Sequence, residues 1–141
     1  MIRRDKMVPK FRGKRKDNGE WVVGVPIPNS FCNVVHMIPI LLTDKVAYPP
    51  ERLYEYLIEI EPETLGQSTG LKDKNGVEIS EGDIVAIKYS ESGYHYYEKI
   101  VFENGTFTAG DEDWLYNIKD YCVVCGNIYE NPELLEPANE N

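Results

Sequence analysis

Apolar and polar side chains alternate in short runs along this chain, and the runs are punctuated by glycine, asparagine and proline, the pattern of half-buried strands joined by reversals. The clearest run is Tyr94 to Phe102. It sets Tyr94, Tyr96, Glu98, Ile100 and Phe102 on one side and His95, Tyr97, Lys99 and Val101 on the other. Ser90–Gly93 turns the chain into this strand, and Asn104-Gly105 turns it out towards Thr106–Thr108, which predicts a three-strand meander. Upstream, Asn75-Gly76 supplies two residues that tolerate positive φ for a tight hairpin. Ser80-Glu81-Gly82-Asp83 forms a second turn before the apolar strand Ile84–Ile87.

The N-terminal third reads the same way. Lys10–Lys14 alternates so that Lys10, Arg12 and Lys14 share a face with Phe11 opposite, Asp17–Glu20 turns, and Trp21–Val25 returns until Pro26 and Pro28 end it. Cys32–Leu42 is β-like and broken near Pro39. Leu53–Ile60 alternates as a strand, the reading favoured here, although Leu53, Tyr56, Leu57 and Ile60 also fit helical spacing. Pro62–Gly66 predicts one helical turn, with proline first and glycine last, at the passage between two halves. Asp111–Ile118 predicts a short helix capped by Asp111, with Trp114, Leu115 and Ile118 on one face. Tyr121–Ile128 returns to strand, Asn131–Leu135 forms a last helical turn, and Ala138–Asn141 frays.

These elements predict a mainly β, β-rich α+β fold with one or two short helical turns. The strand, turn and strand of Gly76–Tyr89 suggest a small SH3-like barrel. The expected organisation is a single domain over residues 1–141, with an N-terminal hairpin region (1–61), a barrel-like core (62–135) and a tail (136–141). KDNGEW at Lys16–Trp21 and KDKNGVEI at Lys72–Ile79 echo one another, which shared turn chemistry explains without duplication.

Composition narrows the class. With 42% hydrophobic and 28% charged residues the chain has an ordinary globular balance, and its length suffices for a core without disulfides. No apolar run is long enough to span a bilayer and no secretory core opens the chain, so a soluble, intracellular protein without membrane contact is expected. Three cysteines, Cys32, Cys122 and Cys125, suit reduced thiols better than a disulfide framework. The net charge of −9 is unevenly spread. Residues 1–16 hold eight basic side chains against Asp5 alone, while the remainder holds seven basic and 23 acidic ones. Such polarity suits a basic arm on an anionic partner, attraction between copies of the chain, or simply a solvated strand face.

Four blocks, KFRGKR (Lys10–Arg15), NGEWVVG (Asn18–Gly24), PETLGQSTGLKDKNGVEISEGDIV (Pro62–Val85) and GNIYENPELL (Gly126–Leu135), resemble the YopX-like family of phage and prophage proteins, in the family's order. Pro26–Leu53 is the least family-like stretch. The resemblance implies a phage or prophage origin, bacterial cytoplasm and self-association. It supplies no catalytic residues.

Candidate chemistry is sparse. Cys122-Val123-Val124-Cys125 has half a zinc-knuckle spacing that Cys32 and His36 complete on paper. On extended strands, however, Cys122 and Cys125 point apart at about 10 Å and Cys32 and His36 lie about 13 Å apart. His36 and His95 are the only histidines for a nucleophilic triad, and His95 sits among tyrosines. Glu81 with Asp83, and Asp111, Glu112 and Asp113, are carboxylate clusters that turn and cap roles explain. No glycine spacing matches a phosphate loop, and no cofactor is expected. The expected role is non-enzymatic binding of another macromolecule, a phage or host protein or a second copy. The patches are Lys10, Arg12, Lys14, Arg15 and Lys16 with Trp21, Tyr94, Tyr96 and Tyr97. The alternatives are nucleic-acid binding by the basic hairpin, and a small hydrolase or metal-dependent enzyme.

Overall fold

The computed structural model describes residues 10–29, 33–40, 49–88, 95–111 and 113–136. They form a mainly β protein whose strands pair antiparallel throughout. The chain divides into two compact units, Met1–Gln67 and Ser68–Asn141. Among the described residues no helix is long and apolar enough to cross a membrane. Arg3, Arg4, Asp5 and Lys6 of the basic arm, the turn Ser90–Gly93, Tyr94, Cys32, Glu112 and the tail residues 137–141 lie outside the described set.

In the first unit, β1 (Phe11–Lys14), β2 (Trp21–Pro28), β3 (Val35–Pro39) and β4 (Ile58–Ile60) follow one another as an antiparallel meander. β4 is hydrogen-bonded on its other flank as well. The Glu61 N–H donates to the Lys14 carbonyl (2.8 Å) and the Lys16 N–H to the Glu59 carbonyl (3.0 Å). β5 (Gly66–Lys72) then lays Gly66 and Gln67 beside Arg12 and Phe11. The inward face carries Gly13, Met37 and Ile60, all buried. Ile60 Cδ1 occupies the space a Cβ on residue 13 would need.

Two expectations for this unit are corrected. β2 does not stop at Pro26 but runs to Pro28. The odd-numbered residues exchange bonds with β3, as Ile40 N–H to Val23 carbonyl and Asn29 N–H to Val34 carbonyl show. The even-numbered prolines therefore lie past the end of β1, and their missing N–H groups break no ladder bond. Leu53–Ile60 is a strand only from Ile58; Pro50–Tyr56 is a 3-10 helix entered through Pro49 and Pro50 and tied by an Arg52–Glu55 ion pair at 2.8 Å. Leu53 and Tyr56 are half-buried there while Tyr54 is 72% exposed, so helical spacing holds up to Tyr56 and the strand reading from Ile58. Pro62–Thr64 is the expected helical turn with proline at its start.

In the second unit, the later part of β5 pairs β6 (Glu78–Ser80). A five-stranded sheet orders β10 (Asp113–Trp114), β9 (Thr106–Ala109), β8 (Tyr96–Glu103), β7 (Asp83–Ile87) and β11 (Cys122–Asn127). The predicted meander is β7, β8 and β9. Ile79, Val85, Ile87, Ile100, Leu115, Ile118 and Cys122 build the core. Asn104 and Gly105 both take positive φ, +54° and +80°, as expected of a two-residue hairpin. Asn75-Gly76 differs, because only Gly76 turns positive, at +83°. Three residues separate the Asp73 and Val77 backbone pair, and this longer loop needs left-handed backbone only at its last position. Asp111–Ile118 is also corrected. Asp113 and Trp114 pair with Ala109 and Thr108 as β10, and the helix α1 covers only Leu115–Ile118, with no side-chain cap.

Candidate functional site

Strand alternation and register build an outer face on the first unit. Arg12 pairs opposite Val23 and Lys14 opposite Trp21, so both cations and the indole project to the same side as Val23, Val25 and Ile27. The Arg12 guanidinium lies 4.8 Å from the Trp21 ring centroid and the Lys14 ammonium 5.8 Å from it. Both are cation–π distances. Trp21, expected as an exposed aromatic, is half-buried beneath these cations. Val23, Val25 and Ile27 are 44%, 44% and 42% exposed, and Ile40 beside Val23 is 39% exposed. A row of β-branched side chains bordered by two cations stacked on an indole thus faces outward. Lys10 is half-buried at the entry to β1.

The remaining cations of the hairpin part company with this face. The Arg15 guanidinium holds Asp17 through two bonds of 2.9 and 2.8 Å. That contact raises the arginine pKa and lowers the aspartate's. Lys16 reaches Glu59 at 3.2 Å, a hydrogen bond that raises its pKa. With Leu57 and Ile58 these residues line a cavity of about 290 Å³. Among the described residues, Arg12 and Lys14 of the basic arm thus belong to a cation–indole face, and Arg15 and Lys16 to ion pairs.

The tyrosines belong to the second unit. Tyr97 is exposed, its ring edge-on to His95 at 5.3 Å. Tyr96, expected as exposed, instead packs half-buried against the core, and its hydroxyl lies 3.4 Å from Asp113 Oδ2. Tyr96 and Asp113 also line a cavity of about 590 Å³ with Glu98, Lys99, Gly110 and Asp111. Glu98 lies against Gly110 at the position a side chain there would fill. Burial, then Asp111 and Asp113, push the Glu98 carboxyl pKa up.

Cys122 and Cys125 sit in different surroundings, and Cys32 lies outside the described residues. Cys122 belongs to the core, its thiol pushed up to about 11 by burial and then by Asp73 and Asp120. Cys125 is exposed at the β11 bulge with Sγ 3.4 Å from the Ile84 carbonyl, its thiol also raised, chiefly by burial of the sulfur. Raised thiol pKa values disfavour the thiolate that metal binding and nucleophilic attack require. His36 stands in register with Ile27 and Glu59, while His95 contacts Tyr97. Among the described residues no group of three or more His, Cys, Asp or Glu is arranged to hold a metal ion.

Sequence reasoning missed a second aromatic surface. Trp114, placed above on one helical face with Leu115 and Ile118, is 60% exposed, and Tyr116 and Tyr121 are 70% and 48% exposed.

Comparison with known proteins bears on the whole chain. A crystal structure of protein EF1440 from Enterococcus faecalis is similar over 93% of this chain and 100% of its own, with 31% identity and a TM-score of 0.60. No curated protein matches. The YopX protein family model matches residues 10–136, from the cation-bearing strand β1 to the last helical turn, and the chain belongs to this family.

Proposed function

We propose that this is a macromolecule-binding module, acting by surface recognition rather than bond-making, and that it associates with copies of itself. The observation that carries this reading is the stack of Arg12 and Lys14 on Trp21 at the border of the exposed row Val23, Val25 and Ile27. Indole and guanidinium groups are the side chains that concentrate contact energy at interfaces, and an outward row of β-branched residues gives them apolar area to cover. The proposal also makes the protein a phage- or prophage-encoded accessory of the bacterial cytoplasm, consistent with a structural relative from a bacterium.

Sedimentation velocity on the parent and on Val25→Glu tests the self-association. We expect a concentration-dependent assembly that the glutamate abolishes, and a strictly monomeric parent would overturn it. The same cation–indole stack supports a second reading, contact with single-stranded nucleic acid. Titrating labelled single- and double-stranded DNA across salt separates the two. A phosphate-driven complex loses affinity steeply as salt rises and requires Arg12 and Lys14.

A further inference from the structure

Three large aromatic side chains of the second unit, Trp114, Tyr116 and Tyr121, stand exposed within eight residues of chain. Leu115 and Ile118 of α1 and Cys122 of β11 anchor this segment in the core, so buried residues alternate with displayed ones. Eight residues of mostly helical chain rise about 12 to 16 Å. The backbone positions that carry the three rings therefore lie within the length of one short peptide.

Charge selects the partner. Residues 68–141 hold fifteen acidic and five basic side chains. Asp120 directly precedes Tyr121, and Asp113, which directly precedes Trp114, opens the 590 Å³ cavity with Glu98 and Asp111. Rings of this kind could stack bases, but such a surface repels a phosphate backbone. The protein already shows how the surface treats a cation: the Lys119 ammonium sits 5.6 Å over the Tyr116 ring and 3.3 Å from Asp120.

We infer that Trp114, Tyr116 and Tyr121, with the carboxylates around them, form a docking surface for a cationic polypeptide segment. Arginine is preferred to lysine, because a guanidinium stacks flat on a ring while its fork engages a carboxylate. The test is a titration of the full chain into labelled nona-arginine peptide, with nona-lysine peptide and single-stranded oligonucleotide as parallel probes. Nona-arginine should bind tightest, and Trp114→Ala with Tyr116→Ala should weaken it about tenfold at an unchanged melting temperature. Tyr116→Ser alone provides the comparison should the double change lower the melting temperature. Equal affinity for the two peptides, an aromatic variant that binds like the parent, preference for the oligonucleotide, or no peptide binding would each overturn the assignment.

Discussion

Asp73 Oδ2 accepts a hydrogen bond of 2.8 Å from the Val124 N–H, 51 residues along the chain. Oδ1 of the same buried carboxylate accepts from the Asn75 and Val77 N–H groups at 2.8 and 2.9 Å. One side chain therefore shapes the hairpin loop and fastens it to β11. Charge-assisted bonds are stronger than neutral ones, and removing their acceptor leaves buried N–H groups unpaired. Asp73→Ala should destabilise the second unit by about 2–4 kcal/mol in urea unfolding, and Asp73→Asn by less, since it keeps one acceptor oxygen. A loss under 1 kcal/mol for the alanine variant would show that water replaces the carboxylate.

Two glycines of the first unit should respond differently to alanine. A Cβ on residue 24 meets the Ile38 backbone carbonyl of β3, which cannot move without breaking the β2–β3 ladder. A Cβ on residue 13 meets only the Ile60 side chain, led by its terminal Cδ1. Gly24→Ala should therefore cost several kcal/mol and Gly13→Ala about 1–3, with Ile60→Val recovering part of the second loss and none of the first. Thermal unfolding of the three variants and the Gly13→Ala/Ile60→Val pair decides. Equal losses at the two glycines would remove the distinction.

The cysteines should separate by reactivity. The Cys122 thiol is buried and pushed up to about 11, whereas Cys125 is exposed. Brief alkylation at about pH 8 followed by peptide mapping should label Cys125 first and Cys122 only on unfolding. The folded pKa of Cys122 lies above the ordinary thiol value of about 9, so the folded state holds the proton more firmly. The stability this contributes is full below about pH 9 and is lost as pH rises towards 11. Cys122→Ala should flatten the fall in stability over that window, and an unchanged slope would refute the linkage.

How much of this was legible in the sequence depends on whether neighbours along the chain or partners across it decide each residue. Asn104-Gly105 was legible because both residues tolerate left-handed backbone and two apolar runs flank them. Asn75-Gly76 has the same letters, but the Asp73 carboxylate captures the loop N–H groups and a longer turn results. Alternation placed Arg12 and Lys14 on one face, yet their common partner Trp21 depends on the register that the Arg15–Glu20 turn imposes. Glu59, which pairs Lys16 from 43 residues away, carries no local signal at all. Trp114 was misread because Leu115 and Ile118 complete a helical spacing with it, whereas it ends the two-residue edge strand β10 and is 60% exposed.

Glu98 offers the last check on the acidic cavity. Its carboxyl pKa is raised from 4.5, first by burial and then by Asp111 and Asp113, so the folded protein favours the protonated acid. A raised folded pKa means that stability from this group is present below about pH 4.5 and is lost as pH climbs through the folded value. In its ionised form Glu98 is therefore a strain on the second unit. Glu98→Gln removes the charge while keeping the shape that rests on Gly110. It should raise the melting temperature at pH 7, and this gain should shrink towards pH 4 as the parent carboxyl takes up its proton. Differential scanning calorimetry at the two pH values reads the difference. A glutamine variant that melts lower than the parent at pH 7 would show that Glu98 holds a favourable partner there, and would reverse the sign assigned to this carboxylate.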